Sequence, residues 1–414
     1  MCTKIFRSST KTSFKKGYFV RQVFRMSDVY IISGCRTPIG NFMGQFQKLS
    51  ASDLGIIAVS EVIKRASLHP EDVEHVILGQ VLTAGQGQNP ARITAVGAEM
   101  PVTTTAYLIN MLCGSGLKAV ALGYQGIKAG DYNIVVAGGQ ENMSASQHTV
   151  YMRGKKIGDS TMADSLYTDG LIDFSNKVHM GKTAEHLAKL YSISREEQDL
   201  FACKSQNKAE EAVKNGYFDK EIVPVLVDKR TGATVDKDEF PRPGMTVEKL
   251  AKLKPCFENP GTVTAGNSSG LNDGAAAVVL ANAAKIKEKG LTPIAKIIGF
   301  AEAGLEPMCM GLGPIGAVTN LLKKIGWTKE EVDLYELNEA FAVQSVIVVK
   351  SLGVDESKVN ISGGAIALGH PLACSGTRVL VTLLHNLQRL GKKKGIAALC
   401  IGGGMGIAMA VEMC

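Results

Sequence analysis

Four short stretches carry side chains that could do chemistry, and each lies among glycines or at the edge of an apolar run. They are NMLCGSGLKAV with Cys113, ELNEAFA with Asn338, GGAIALGHPLACSG with His370, and LCIGGGMG with Cys400. Taken singly, each has an ordinary structural reading. Free cysteine is among the most buried residue types, so Cys113 and Cys400 read equally well as core. A His-Pro pair is a common turn former, and Asn338 could cap the helix that EAFAVQSVIVVKSL suggests. Taken together, two thiols, an imidazole and an amide on glycine-rich turns are equipment for acyl transfer through a covalent thioester. One thiol attacks an acyl carbonyl, the imidazole takes its proton, and backbone amides hold the oxyanion. The second thiol can move a proton at carbon or sulfur. Metal binding is the competing use of Cys and His, but the spacings are wrong and no carboxylate cluster joins them, so no metal site is expected.

The elements around these stretches alternate in type. DVYIISGCRTPIG reads as a buried strand and turn, and SDLGIIAVSEVIKRA as a helix with Ser52 or Asp53 as N-cap. HVILGQV is another strand, CGSGLKAVALGYQGIKAG a helix ending in glycine, and NIVVAGGQENM a strand running into a turn. Such alternation predicts a largely parallel sheet covered on both faces, with ligands at one edge of it. A cysteine opening a helix feels the positive end of the macrodipole, which favours thiolate at Cys113. Gly114 and Gly116 read as clearance for a bound thioester.

The pattern occurs twice. VIKRASLHPEDVEHVILGQV (62–81) resembles LLKKIGWTKEEVDLYELNEAF (321–341) in its order of helix, turn, acid-Val and strand. Val73 to Gly116 spans 43 residues and Val332 to Gly376 spans 44, and each glycine sits in a cysteine-containing turn that opens a helix. A strand ending in glycines follows each time, which argues for a duplicated α/β half. Residues 143–271 are richer in charge and turns, with a helix from about Thr183 to Asn215, and read as an insertion. The expected organisation is an arm at 1–26, a first half at 27–142 plus 272–292, the inserted loop domain at 143–271, and a second half at 293–414.

Composition narrows the function classes. The formal charge of +7 resides in residues 1–26, which hold seven basic side chains and no acid, and the remaining 39 basic residues balance 39 acidic ones. A neutral body offers no basic stripe for nucleic acid. The arm, rich in Lys, Arg, Ser and Thr, fits a mitochondrial transit peptide; a cytoplasmic protein is the alternative if translation begins at Met26. Nine scattered cysteines without CxxC pairs indicate a reducing compartment. No apolar run reaches the roughly 18 residues of a membrane span.

At CGSGLKA, NEAFA, GGAIALGHPLACSG and CIGGGMGIAM the chain resembles the thiolase family, on its acetyl-CoA-condensing side, from about Asp28 to the C-terminus. The resemblance implies duplicated βαβαβαββ halves in a layered αβαβα arrangement, and reversible condensation of two acetyl-CoA to acetoacetyl-CoA and CoA. It implies Cys113 as the acylated nucleophile, His370 as its base and Cys400 as the acid/base at the α-carbon. Asn338 would hold a water that, with His370, faces the enolate oxygen, and the amides of Cys113 and Gly402 would form the second oxyanion hole. VHMGKTAE places His179 and Met180 at the pantetheine and acyl pocket, TAGNSSGLNDG places Ala265 and Ser269 near the pantetheine, and Arg242 in FPRPG would lie near the adenine. Met180 with Met310 in CMGLGP would shorten the pocket. No tightly bound cofactor is implied, coenzyme A thioesters being substrates; a potassium ion and a homotetramer are further implications. A broader-chain 3-ketoacyl-CoA thiolase, a 3-oxoacyl synthase and a non-catalytic CoA- or lipid-binding homologue are the alternatives; the second cysteine, Cys400, opposes the synthase, and an intact Cys113, His370 and Cys400 oppose the last. Two departures stand out. Ala373-Cys374 replaces the family's usual Gly-Ala, adding a thiol open to redox chemistry, and Ser268 replaces alanine.

Overall fold

A computed structural model describes residues 28–414; the expected import arm at 1–26 lies outside them. The first half of the chain carries strands β1 (Val29–Arg36), β2 (Gly40–Asn41), β3 (His75–Gly79), β4 (Thr105–Ile109) and β5 (Ile134–Asn142). Helices α1 (Ala51–Arg65), α2 (Pro90–Gly97) and α3 (Ser115–Ala129) join them. The next stretch holds two short hairpins, β6 (His148–Val150) with β7 (Met162–Asp164) and β8 (Val225–Asp228) with β9 (Ala233–Val235). It also holds α4 (Met180–Tyr191), α5 (Arg195–Lys214) and α6 (Val247–Ala251). Then follow β10 (Asn272–Asn282), α7 (Ala283–Lys289), β11 (Ala295–Gly304), α8 (Gly313–Ile325), β12 (Leu334–Leu337) and α9 (Ala342–Leu352). The chain ends with α10 (Ala365–Leu368), α11 (Ser375–Leu390), β13 (Lys394–Ile401) and β14 (Met405–Met413).

The strands form one sheet in the order β12-β13-β14-β11-β1-β10-β5-β3-β4, with β2 attached to β10. Between β1 and β11 it is joined by only two residue pairs, Tyr30 with Lys296 and Ile31 with Ala295. The two parts of the sheet wrap a central layer made by α3 and α11. One apolar cluster joins Leu117 and Val120 of α3, Leu380 and Leu383 of α11, and strand residues of both parts such as Val135 and Leu399. Alternate strand residues face outward, Ile134 and Val136 onto the cluster with α1 and α2, and Ile396 and Ala398 onto the cluster with α8 and α9. Helix, sheet, helix, sheet, helix is the layered order that two duplicated halves produce, because each strand is apolar on both faces.

Three sequence expectations change. The sheet is mixed: β3 runs parallel to β4 and β5, and β12 to β13, but the other pairings are antiparallel. The reason is connectivity, since β13 turns straight into β14 through Gly402–Gly404, and a tight hairpin can only pair antiparallel strands. The helix expected over Thr183–Asn215 is two helices, broken at Ser192 (φ 55°) and restarted by a capping box between Ser194 and Glu197. The first helix is capped by Ser50, with Asp53 as the returning acid of its capping box, rather than by Ser52 or Asp53.

Candidate active site

Cys113 stands at a sharp elbow between β4 and α3. Leu112 before it is held at φ 47°, a left-handed conformation rare for a branched side chain. Local bonds hold the strain. Asn110 Oδ1 accepts the Leu112 N–H at 2.9 Å, while Ser115 Oγ accepts the Met111 N–H at 2.8 Å and donates to the Leu112 carbonyl at 2.7 Å. The elbow turns the Cys113 side chain away from the central core and onto a cavity.

His370 comes from the other part of the sheet, on the turn between α10 and α11. Gly369 is at φ 101°, and a Cβ there would lie 2.5 Å from the Asn272 side chain, whose Oδ1 accepts the His370 N–H at 2.9 Å. The imidazole Nδ1 lies 2.6 Å from Ser375 Oγ, which in turn lies 2.9 Å from the Pro371 carbonyl. A carbonyl brings no proton, so the hydroxyl donates to it and Nδ1 carries a hydrogen. Nε2 is left with its lone pair, buried and without a partner among the described residues. Burial, with the Arg378 charge second, pulls the imidazole down to about 3, so it is neutral at physiological pH.

Cys400 is the penultimate residue of β13, and Gly402 opens the turn beyond the strand. The N–H groups of Gly402 and of Cys113 itself both bond toward the Cys113 sulfur and favour its thiolate, yet burial outweighs them and pushes the thiol up to about 11. The thiolate expected from the helix dipole is therefore not the resting form. Cys400 is pushed up as well, first by burial and then by the charge Cys113 would carry, and both residues line the same cavity.

Cys113, His370, Cys400 and Gly402 line one cavity of about 360 Å³. His179, Met180, Arg242, Ala265, Ser269 and Met310 line it too. His179 caps α4, accepting the Gly181 N–H on Nδ1 at 3.0 Å, so its proton sits on Nε2. Arg242 stacks over Phe240, 5.3 Å from the ring centre. The TAGNSSG loop lies against NEAFA, Ser269 N–H donating to the Ala340 carbonyl at 3.0 Å and Ala342 N–H to the Asn267 carbonyl at 2.9 Å. Ser268 spends its hydroxyl on the Thr264 carbonyl at 2.7 Å. Asn338 is the one expected site residue off the cavity wall. It is fully buried, and neither its Oδ1 nor its Nδ2 has a partner among the described residues. It is not a helix cap, since α9 begins only at Ala342 behind Phe341. Cys374 is fully buried with Ile39 and Ala276, which removes it from redox chemistry in the folded protein.

Comparison with known proteins agrees with this geometry. Residues 29–284 match the family description "Thiolase, N-terminal domain" and residues 291–413 match "Thiolase, C-terminal domain". The chain belongs to the thiolase family. It is similar to the acetyl-CoA acetyltransferase of Cupriavidus necator, 54% identical over 391 residues, 94% of this chain and 100% of that protein. It is 53% identical over 388 residues to the cytosolic acetyl-CoA acetyltransferase of Mus musculus, 93% of this chain and 98% of that protein. The crystal structure of the Bacillus anthracis acetyl-CoA acetyltransferase superposes with a TM-score of 0.91 at 42% identity, covering 94% of this chain and 99% of that one.

Three residues of this thiolase escaped the sequence reading. Phe257 stacks on His179, with ring centres 4.8 Å apart, and meets Phe341 edge-on. It fills the space that a side chain at Gly181 would need, and nothing in LKPCFENPG marks it. Glu141 ends β5 and accepts the N–H groups of Val81, Leu82 and Ala373 at 3.0 to 3.1 Å, tying the His370 turn to the first half. Burial pushes its carboxyl up to about 7. Arg378, fully buried on α11, is the third. For Arg378, a charge beside the apolar run VLVTLL was the available signal.

Proposed function

We propose that the chain is an acetyl-CoA C-acetyltransferase, condensing two acetyl-CoA to acetoacetyl-CoA and CoA and running thiolysis in reverse. The observation that carries this is the single cavity on which two thiols, a neutral imidazole and two converging amides meet. The names of relatives more than half identical to the chain support the substrate. Cys113 attacks the first acetyl carbonyl while His370 Nε2 takes the thiol proton, and the amides of Cys113 and Gly402 receive the oxyanion. The bond to CoA breaks, and the departing sulfur takes the proton of Cys400, leaving acetyl-Cys113 and a Cys400 thiolate. That thiolate removes a methyl proton from the second acetyl-CoA. The enolate oxygen faces the Nε2–H of His370 and a water held by Asn338. Carbon then attacks the acetyl group, and Cys113 recovers its proton from His370.

Incubation with acetyl-CoA followed by intact-mass measurement and peptide mapping tests the reading. A gain of about 42 Da, one acetyl group as covalent catalysis requires, is expected on Cys113 alone. Acetylation elsewhere, or none, overturns it. Chain length is set by Met180 and Met310, two thioethers on the cavity wall. Met180→Ala with Met310→Ala should gain activity on longer 3-oxoacyl-CoAs; if the parent already turns these over, the broader-chain 3-ketoacyl-CoA thiolase is correct.

The basic arm supports mitochondrial import, testable by fusing residues 1–26 to a fluorescent protein. A homo-oligomer, a tetramer by family resemblance, is supported by apolar side chains exposed on and beside the β6–β7 hairpin, Tyr151 (82%) and Ile157 (92%). A potassium ion assisting the CoA loop is an implication of the resemblance, tested by assay with and without the ion.

A further inference from the structure

Helix α11 is buried on nearly every side, yet it carries a polar stripe at helical spacing: Ser375, Arg378, Thr382 and Asn386. Three of the four have protein partners. Ser375 Oγ lies 2.6 Å from His370 Nδ1, Thr382 Oγ1 donates to Glu221 Oε1 at 3.1 Å, and Asn386 Oδ1 accepts the Ser362 hydroxyl at 3.0 Å. Arg378 has none: all three guanidinium nitrogens are buried without a hydrogen-bond partner among the described residues. The buried carboxyl of Glu336 attracts it but makes no hydrogen bond to it, so pairing leaves this guanidinium incompletely satisfied.

Its neighbours show where that charge acts. Ser375, which holds the His370 ring, is one turn before Arg378 on the same face of α11. From β12, Leu334 faces the central core while Tyr335 and Leu337 face outward, so Glu336 and Asn338 share the inner face toward α11. The charged and titratable groups acting on Arg378 are Glu336 of β12, Arg36 of β1, Glu221 and Cys374. Arg36 and Glu221 are already paired at 2.6 Å, and Arg36 also holds Asp238 at 2.7 Å. After burial, the Arg378 charge is what holds the His370 imidazole down among the described residues.

We propose that Arg378 is a positioning residue of the acyl-transfer site, acting on His370 as a fixed positive charge one helical turn behind its ring. It does not touch substrate. It adds to burial in penalising the imidazolium, and the Cys113–His370 pair rests as thiol and neutral imidazole. The charged form becomes affordable only when a negative partner, the oxyanion, the Cys400 thiolate or the enolate, lies beside the ring. The nucleophile is thereby silent until an acyl group arrives.

This rests on the acyl-transfer reading but is tested without acetyl-CoA, so the two fail separately. Alkylation of Cys113 by iodoacetamide is followed by peptide mapping between pH 5.5 and 10. In the parent enzyme the rate should climb steadily with pH; a plateau already reached at pH 6.5 would reveal a standing thiolate and overturn the proposal with no variant needed. Arg378→Gln should raise the rate at pH 6.5 by about tenfold, and Arg378→Lys, which keeps the charge, should stay within about twofold. A folded Arg378→Gln protein with the parent profile overturns it as well.

Discussion

Two helices meet at the centre of the molecule, α3 and α11, and each is introduced by a cysteine and a glycine. The glycines serve the same purpose. A Cβ at Gly116 would lie 2.6 Å from the Ala373 carbonyl and 2.9 Å from the Thr377 nitrogen; one at Gly376 would lie 2.3 Å from the Leu117 nitrogen. The two helix starts therefore cross backbone against backbone, and Gly116 clears the way for α11 rather than for a thioester. Gly114 likewise makes room for Ile401, whose Cδ1 would lie 2.4 Å from a Cβ there. The cysteines differ. Cys113 follows the strained Leu112 and is delivered to the cavity, whereas Cys374 is packed against Ile39 and Ala276. The two cysteines stand one residue out of register: Cys374 directly precedes α11 as Gly114 precedes α3, and Ala373 occupies the place of Cys113. That one-residue offset, with the Leu112 elbow, puts one thiol on the cavity and the other in the core.

The largest effect expected from breaking this asymmetry is at Cys113 itself. Cys113→Ser should lower thiolysis of acetoacetyl-CoA by about a thousandfold or more, because the hydroxyl is a far weaker nucleophile in the same place. The acetyl adduct should vanish in the same variant, and retention of either would break the comparison. His370→Asn should follow with a loss of about a hundredfold to a thousandfold, since the amide has no basic lone pair for the thiol proton. A steady-state assay at saturating substrate measures both.

The duplication, the strand and helix order and the four chemical stretches were legible because apolar periodicity and glycine turns are local signals. CGSG and HPLACSG announced helix starts, and both start helices. What was not legible depends on contacts distant in sequence. The antiparallel course of β10 against β5 is set by how the chain returns after more than a hundred residues. The height of the Cys113 thiol is set by burial, which overrides a dipole argument made from the local sequence. The hold of Glu141 on Ala373 joins two regions of the chain that share no pattern. The Leu112 strain also left no mark, since leucine is a residue that left-handed backbone normally avoids.

The crossing of the two helix starts gives the next effect. Gly116→Ala would press a methyl group into the Ala373 carbonyl and the Thr377 backbone, atoms that cannot swing aside. A loss of about 1–3 kcal/mol is expected in urea unfolding followed by circular dichroism, the usual range for overpacking. Gly114→Ala meets the movable end of Ile401 and should lose less. Equal losses would mean that the backbone contact does not decide the fold here.

The smallest effect belongs to Cys374, and it tests the asymmetry from the other side. Cys374→Ala removes one sulfur atom from a closed apolar contact and should cost about 1 kcal/mol of stability. Thiolysis should stay within about twofold of the parent, because no reacting atom touches this side chain. The thiol itself should be inert: burial, the leading cause, pushes it up to about 12, and it does not line the cavity. Iodoacetamide applied to the native protein should mark Cys113 and leave Cys374 unmodified until denaturant is added. Native labelling of both at similar rates would mean that the elbow at Leu112 does not separate them, and that the two turns are alike in reactivity as well as in design.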